Sequence, residues 1–291
     1  MTHLFIINPI SGGRKADALR AEAEAAAKTI PGAALVRTQR PAHARELALK
    51  AAEEGVGTVV AVGGDGTVNE VASALVGRES ALGIVPIGSG NGLARHLGIP
   101  MRPRDAVERL REAEAFLMDT ATIDGRPFFC TAGVGFDAKV ASDYAASGRR
   151  GLVTYVRTAL RDFRSYAPAE YVIETDGGVI RTRALLVTCG NANQWGNNCF
   201  ITPDASLQDG RLDVAIVMDA PLLAEVAMVP QLLHKSLAHN RYVSYLKTSF
   251  ARVEMVSEGT PVAHFDGEVA SGAGKSVEFR CLPASLRVAA L

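Results

Sequence analysis

The chain has 291 residues, 48% hydrophobic and 21% charged, with 31 Lys and Arg balanced by 31 Asp and Glu. That length predicts two domains of ordinary size, the composition excludes disordered and collagenous chains, and the balanced charge gives no footing for a nucleic-acid partner. Cys130, Cys189, Cys199 and Cys281 lie far apart without a Cys-x-x-Cys pair, so reduced, buried thiols are expected rather than a zinc site.

Residues 4–8 read as a strand; no basic leader precedes them, so no export and a cytoplasmic location are expected. An Ala-rich helical pattern covers 15–28, a second strand 33–36, and Pro41 opens a helix that runs to 54. The run 58–62 is apolar throughout, as in a strand covered on both faces. Glycines follow it, then the helical pattern 68–76 and a strand at 82–85. This βαβα rhythm predicts an open parallel sheet, whose ligands bind beyond the carboxyl ends of the strands. Asn8-Pro9, the glycines at 63–67 and those at 88–91 all fall at such ends.

After a helix at 103–114 the pattern changes. Strands are expected at 116–123, 127–131, 171–174, 179–189, 212–218, 252–257, 261–265, 276–281 and 286–290, with Asp176-Gly177-Gly178 as a hairpin signal. Helices at 137–166 and 222–239 interrupt them, so the second domain is expected to be mostly antiparallel. The longest apolar stretch, 220–233, is broken by Pro221, Glu225, Pro230 and Gln231 and cannot span a bilayer, which leaves only peripheral membrane contact. Between 148 and 166, Leu152, Tyr155, Val156, Ala159, Leu160 and Phe163 fall at helical spacing, with Arg149, Arg150, Arg157, Arg161 and Arg164 supplying charge. A helix packed on the sheet is the preferred reading, and one lying on an anionic membrane the alternative.

Gly63-Gly64-Asp65-Gly66-Thr67, between a strand and a helix, offers backbone amides at the positive end of a helix, a geometry that favours phosphate. Asp65 stands where it would orient a magnesium ion, directly or through water. Neither G-x-x-x-x-G-K-[ST] nor a true G-x-G-x-x-G is present; Gly88-Ser89-Gly90-Asn91-Gly92 places its third glycine one position early. A dinucleotide-dependent dehydrogenase is therefore a weak reading. Of the six histidines only His264, near Asp266, adjoins a candidate site, and it is expected within a strand.

Four stretches in order, Asn8-Pro9-Ile10-Ser11-Gly12, Gly63-Gly64-Asp65-Gly66-Thr67-Val68-Asn69-Glu70, Pro86-Ile87-Gly88-Ser89-Gly90-Asn91-Gly92-Leu93-Ala94-Arg95 and Asp266-Gly267-Glu268, carry a resemblance to the diacylglycerol kinase catalytic family of lipid kinases. The family includes bacterial soluble diacylglycerol kinases and the sphingosine and ceramide kinases. The resemblance implies an α/β nucleotide domain at 1–120 with an open, NAD kinase-like parallel sheet, and an antiparallel β-sandwich at 121–291 whose last strand is free to return to the first domain. It places the active site in the cleft between them, with ATP and Mg2+ as cofactors. Carried over by position, Asn8, Pro9, Ile10, Ser11, Gly12, Thr38, the stretch from Gly63 through Glu70, Ser89, Gly90, Asn91 and Asp119 are implied nucleotide contacts.

In the family the Asp-Gly-Glu carboxylates supply the base, so Glu268, with Asp266 beside it, is the implied proton acceptor, and Asp65 completes the catalytic set. A structural magnesium is implied in the second domain at Ser206-Leu207-Gln208-Asp209-Gly210-Arg211, held by the Asp209 side chain and the carbonyls of Ser206 and Arg211. One departure stands out: many bacterial relatives carry Asp where this chain has Gly92, so diacylglycerol and a long-chain base are both open as acceptors. The implied partner is a lipid at a membrane surface, and a homodimer is compatible. NAD kinase, which shares Gly-Gly-Asp-Gly, is the nearest enzymatic rival, and a catalytically silent nucleotide- or lipid-binding regulator is the rival of another class.

Overall fold

The apolar runs of the first third become the strands β1 (His3–Ile7), β2 (Ala33–Arg37), β3 (Thr58–Gly63) and β4 (Ala81–Pro86), alternating with the helices α1 (Asp17–Ala27), α2 (His43–Glu53) and α3 (Asp65–Leu75). A one-turn helix, α4 (Gly92–His96), and α5 (Pro103–Glu112) follow β4. The computed structural model describes residues 2–12, 16–146, 152–163, 165–257, 261–270 and 274–290. Its contacts divide the chain into two units, Met1–Thr120 with Pro283–Leu291, and Ala121–Leu282.

In the first unit the sheet is parallel, with β1 between β2 and β3, and β3 between β1 and β4. Phe5, Ile6, Val59, Val60, Leu82 and Val85 are wholly buried, the burial that near-continuous apolar strands require when helices cover both faces. α1 packs beside α5, and α2 beside α3. The third helix begins at Asp65 rather than at the predicted 68, because Gly64 is its extended N-cap and the rest of the glycine motif lies within the first helical turn.

The chain continues through β5 (Ala115–Ile123), β6 (Arg126–Phe128), β7 (Thr131–Gly135), α6 (Phe136–Ala146), α7 (Leu152–Phe163), β8 (Ala169–Thr175), β9 (Gly178–Gly190), β10 (Leu212–Met218), α8 (Leu222–Leu233), β11 (Val243–Thr248), β12 (Phe250–Met255), β13 (Ala263–Phe265), β14 (Glu268–Ala270) and β15 (Ser276–Ala289). Within the second unit the strand pairings are antiparallel. The first half of β9 pairs with β8, and its second half with β7 and β10, so one long strand serves both layers of a sandwich. Val134, Val214 and Ala263 from one layer share a buried core with Tyr171, Val253 and Phe279 from the other.

Several boundaries differ from the sequence reading. The stretches 276–281 and 286–290 form the single strand β15, which bends at Ala284, where φ is 47°. Its first part pairs with β12, and Val288 near its end pairs in parallel with Leu82 of β4. The helix expected at 222–239 stops at Leu233, and Lys235 takes φ 56° just beyond it. β11 was not expected, since Val243 to Thr248 alternates only weakly.

The helix expected at 137–166 is two helices. Phe163 of α7 meets Phe136 of α6 edge-on at 5.7 Å, and Arg161 ion-pairs with Asp143 at 2.8 Å. For this part of α7, packing on the protein is what is observed; Arg149, Arg150 and Arg164 lie outside the described residues. Among the described residues no helix is long and apolar enough to cross a membrane.

Candidate active site

In the first unit, three loops that leave β1, β3 and β4 are stitched together by polar contacts. Asn8 Nδ2 donates to Thr67 Oγ1 at 3.0 Å, while Asn8 Oδ1 accepts the Ile10 amide at 3.1 Å, which turns the chain sharply after β1. Ser11 Oγ lies 3.4 Å from Thr67 Oγ1 and accepts the Gly64 amide at 3.4 Å. The Asn-Pro-Ile-Ser-Gly loop is thereby held over the first turn of α3, with Thr67 buried beneath it and Pro9 and Ile10 exposed.

The loop after β4 is joined to the same turn by Asp65. Its Oδ2 accepts the Asn91 amide at 2.8 Å and its Oδ1 the Gly92 amide at 2.7 Å. Asn91, at φ 53°, returns its side-chain Nδ2 to the Gly88 carbonyl at 2.8 Å, and Arg95 Nε donates to the Gly90 carbonyl at 3.0 Å. The glycines are a steric necessity: a Cβ on Gly88 would lie 2.5 Å from the Gly64 Cα, and one on Gly64 would lie 3.1 Å from the Gly88 Cα. Two backbones pass each other here with no room for a side chain, at the mouth of a helix whose first amides lack intrahelical acceptors. Such a mouth carries partial positive charge suited to a phosphate chain.

The remaining implied nucleotide contacts divide. Thr38 is buried and its amide bonds the Ile7 carbonyl at 2.9 Å, at the same strand ends; Ser89 is exposed beside Gly90. Val68 is buried in α3, and the Asn69 side chain accepts from Ser73 Oγ at 3.3 Å along the same helix. The Glu70 carboxylate accepts the amides of Ala42 at 3.1 Å and Ala44 at 3.0 Å, so its visible work is to cap the amino end of α2 rather than to face a nucleotide. Asp119 is buried and accepts the Ala284 amide at 2.7 Å, fixing the bend of β15.

In the second unit, Asp266 and Gly267 form the two-residue turn of the β13–β14 hairpin, with φ of 47° and 81°, values that suit a type I′ turn. The Asp266 carboxylate takes the amides of Phe129, Cys130 and Thr131 at 2.9, 2.8 and 3.2 Å, and the Asp266 amide donates to the Thr131 carbonyl at 2.8 Å. Asp266 is therefore an anchor, its carboxylate taken up by backbone amides. Glu268, the next carboxylate, is exposed on the first residue of β14. One strand earlier, buried His264 sets Nε2 at 2.9 Å from Asp137 Oδ2, which also accepts Thr188 Oγ1 at 2.6 Å. The hairpin that presents Glu268 is thus held at both its turn and its stem.

Two family profiles account for nearly the whole chain: the diacylglycerol kinase catalytic domain over residues 2–123, and the YegS C-terminal NAD kinase beta sandwich-like domain over 130–290. The chain belongs to the diacylglycerol kinase family of lipid kinases. Among its relatives, a protein of Chromohalobacter salexigens named "Probable lipid kinase YegS-like" is 31% identical over 76% of this chain and 73% of its own. The diacylglycerol kinase of Bacillus subtilis is 29% identical over 72% of this chain and 70% of its own. A crystal structure of a diacylglycerol kinase from Bacillus anthracis superimposes with a TM-score of 0.75 at 19% identity, covering 100% of this chain and 97% of that one. An NAD kinase from Archaeoglobus fulgidus in complex with ATP gives a TM-score of 0.56 at 12% identity, over 99% and 93% of the two chains. These two likenesses speak to fold, and they bear out the α/β domain with an NAD kinase-like sheet followed by a β-sandwich.

The two aspartates implied as magnesium positions are already engaged within the protein. In the turn before β10, Asp209 Oδ1 accepts the Arg211 amide at 3.1 Å and Asp209 Oδ2 holds Lys247 Nζ at 2.6 Å. Lys247 lies directly across from Asp213 in the β10–β11 ladder, its Nζ 3.1 Å from that buried carboxylate and 3.5 Å from the Asp204 carbonyl. Burial pulls the Lys247 pKa down, and the carboxylates of Asp209 and Asp213 more than reverse this. An ammonium stands at one oxygen of Asp209, and a metal held by Ser206, Asp209 and Arg211 would have to displace it. Asp65 is likewise engaged through both oxygens by amides, and burial pushes its carboxyl above the usual range against the pull of those amides. Its visible work is to clamp the two glycine loops together. Among the described residues no group of three or more His, Cys, Asp or Glu side chains could hold a metal.

Sequence reasoning missed Lys247 and the Asp137–His264 pair. Both depend on strand register, which no local pattern announces.

Proposed function

We propose that this protein transfers the terminal phosphoryl group of ATP to the hydroxyl of a lipid, a diacylglycerol or a related lipid such as a long-chain base, in phospholipid metabolism. The observation that supports the reading is the seam of Gly64 against Gly88 at the mouth of α3, which leaves room for a phosphate chain to approach backbone rather than side chains. Magnesium enters with ATP as part of the substrate. Phosphoryl transfer needs positioning and charge stabilisation more than covalent chemistry. The acceptor oxygen bonds to the γ-phosphorus as its proton passes to the Glu268 carboxylate; the bond from that phosphorus to the β–γ bridging oxygen breaks, and ADP departs. Work in the cytoplasm with peripheral contact to a membrane, and self-association as a homodimer, complete the proposal.

The test is incubation with labelled ATP and magnesium against diacylglycerol, sphingosine, ceramide, monoacylglycerol and NAD. Label in a phosphorylated lipid is expected; label in NADP alone would overturn the assignment, and label in none would favour a binding protein. Glu268→Gln should lower turnover by about two to four orders of magnitude, the usual worth of a general base, with nucleotide affinity retained. Near-normal turnover would remove Glu268 from that role.

A further inference from the structure

The α8 helix is built the wrong way round for a soluble surface. Met228 and Leu232 turn inward onto the core that includes Ala215, Val217 and Leu237. On the opposite arc Leu223 is 84% exposed, Val226 55%, Val229 58% and Leu233 48%, with Ala227 and Pro230 exposed among them. Single exposed apolar residues are ordinary, but a contiguous apolar helix face marks a contact surface.

Charge around this face is uneven although the chain as a whole is neutral. From Val226 to Val253 the sequence has no Asp or Glu, and it holds Lys235, Arg241 and Arg252 besides Lys247, which is held by Asp209 and Asp213. Two of these cations, both exposed, follow the carboxyl end of α8 in the chain, Arg241 lying over the Tyr242 ring. Lys235 follows the helix directly and sits over the Phe200 ring at 4.6 Å, while the Phe200 amide donates to the Leu232 carbonyl at 2.8 Å. Arg241 adjoins Asn240, whose Nδ2 donates to Gln231 Oε1 at 2.9 Å. The acids lie at the other end: Glu225 in the first turn, and Asp219 before it, paired with Arg183 at 3.0 Å.

We propose that the exposed face of α8 docks on an anionic lipid surface, with Leu223, Val226, Val229 and Leu233 entering the headgroup–acyl boundary and Lys235 and Arg241 meeting the headgroups. An amphipathic helix lying in the membrane plane has this division of apolar and basic groups. The inference rests on the proposed lipid kinase function, naming how the protein reaches its substrate.

The experiment floats the full-length protein with vesicles of phosphatidylcholine alone or with phosphatidylglycerol added, comparing wild type, Leu223→Glu/Val229→Glu and Lys235→Glu/Arg241→Glu. Wild type should float with the anionic vesicles. The first variant should lose binding by about tenfold or more, and the second should lose the preference for anionic lipid. Thermal melts check that both fold; the charge-reversal pair alone suffices if the apolar pair does not. Absence of wild-type binding, or binding indifferent to both variants, overturns the proposal, as does a wild-type dimer that the first variant converts to monomer. A water-soluble short-chain diacylglycerol separates the two readings. Unchanged turnover of that acceptor with vesicle binding lost supports docking, whereas vesicle binding through α8 without kinase activity on any lipid would leave docking standing and the kinase reading refuted.

Discussion

Three acidic residues of the motifs, Asp65, Glu70 and Asp266, have their carboxylates satisfied by backbone amides. A short string such as Gly-Gly-Asp-Gly or Asp-Gly-Glu shows which residue types occur but not which partners they find. The glycine loops were legible because they stand out at strand–helix junctions, but the contact of Gly64 with Gly88 was not, nor were the carboxylate roles, because each depends on a distant segment. Lys247 shows the same limit, since its place opposite Asp213 follows from pairing. Lys247→Met would strip the cation from a buried carboxylate, and allowing for the 40% exposure of the lysine side chain the loss should be about 1–2 kcal/mol. Urea denaturation measures it. The companion expectation is that wild-type stability is the same in magnesium as in a chelator; a magnesium-dependent gain abolished by Asp209→Asn would restore the metal to that turn.

At the scale of elements, the buried parallel strands were readable from runs of Val, Ile and Leu, and the antiparallel second half from its many short strands. Ends and breaks were less so. Residues 137–166 look continuous by periodicity yet divide, and α3 starts three residues early because glycine is admitted to its first turn. The N-cap position of α2 is Ala42, at φ 61°, with no side chain able to cap. Glu70, reaching from the neighbouring α3, supplies what the local sequence lacks. Glu70→Ala should therefore destabilise the protein by about 0.5–2 kcal/mol, the usual worth of a helix cap, and hydrogen exchange should quicken first in residues 43–53. Protection unchanged there would mean that packing alone holds α2.

For the whole molecule, the division near residue 120 is visible in the sequence as a change of rhythm, whereas the return of the chain to its first unit is suggested only by the resemblance and not by any local pattern. Pro283–Leu291 belongs with that unit, Leu286 and Val288 are wholly buried, and Arg109 Nε grips the Ala290 carbonyl at 2.8 Å. Leu286→Ala should cost about 2–5 kcal/mol by opening a cavity. Trp195, the single tryptophan, lies in the second unit, so the urea transition seen by circular dichroism should shift more than that seen by its fluorescence. Equal shifts would mean that the two units unfold together.

That closing segment also bears on synthesis. Chains grow from the amino terminus, and domains tend to fold as they emerge. Here the sheet that carries the glycine loops gains Val288 beside Leu82 only after the whole second unit has been translated. A ribosome stalled anywhere in the second unit would release a first unit lacking the pairing of Val288 with β4, so truncated products should be cleared by proteases rather than accumulate.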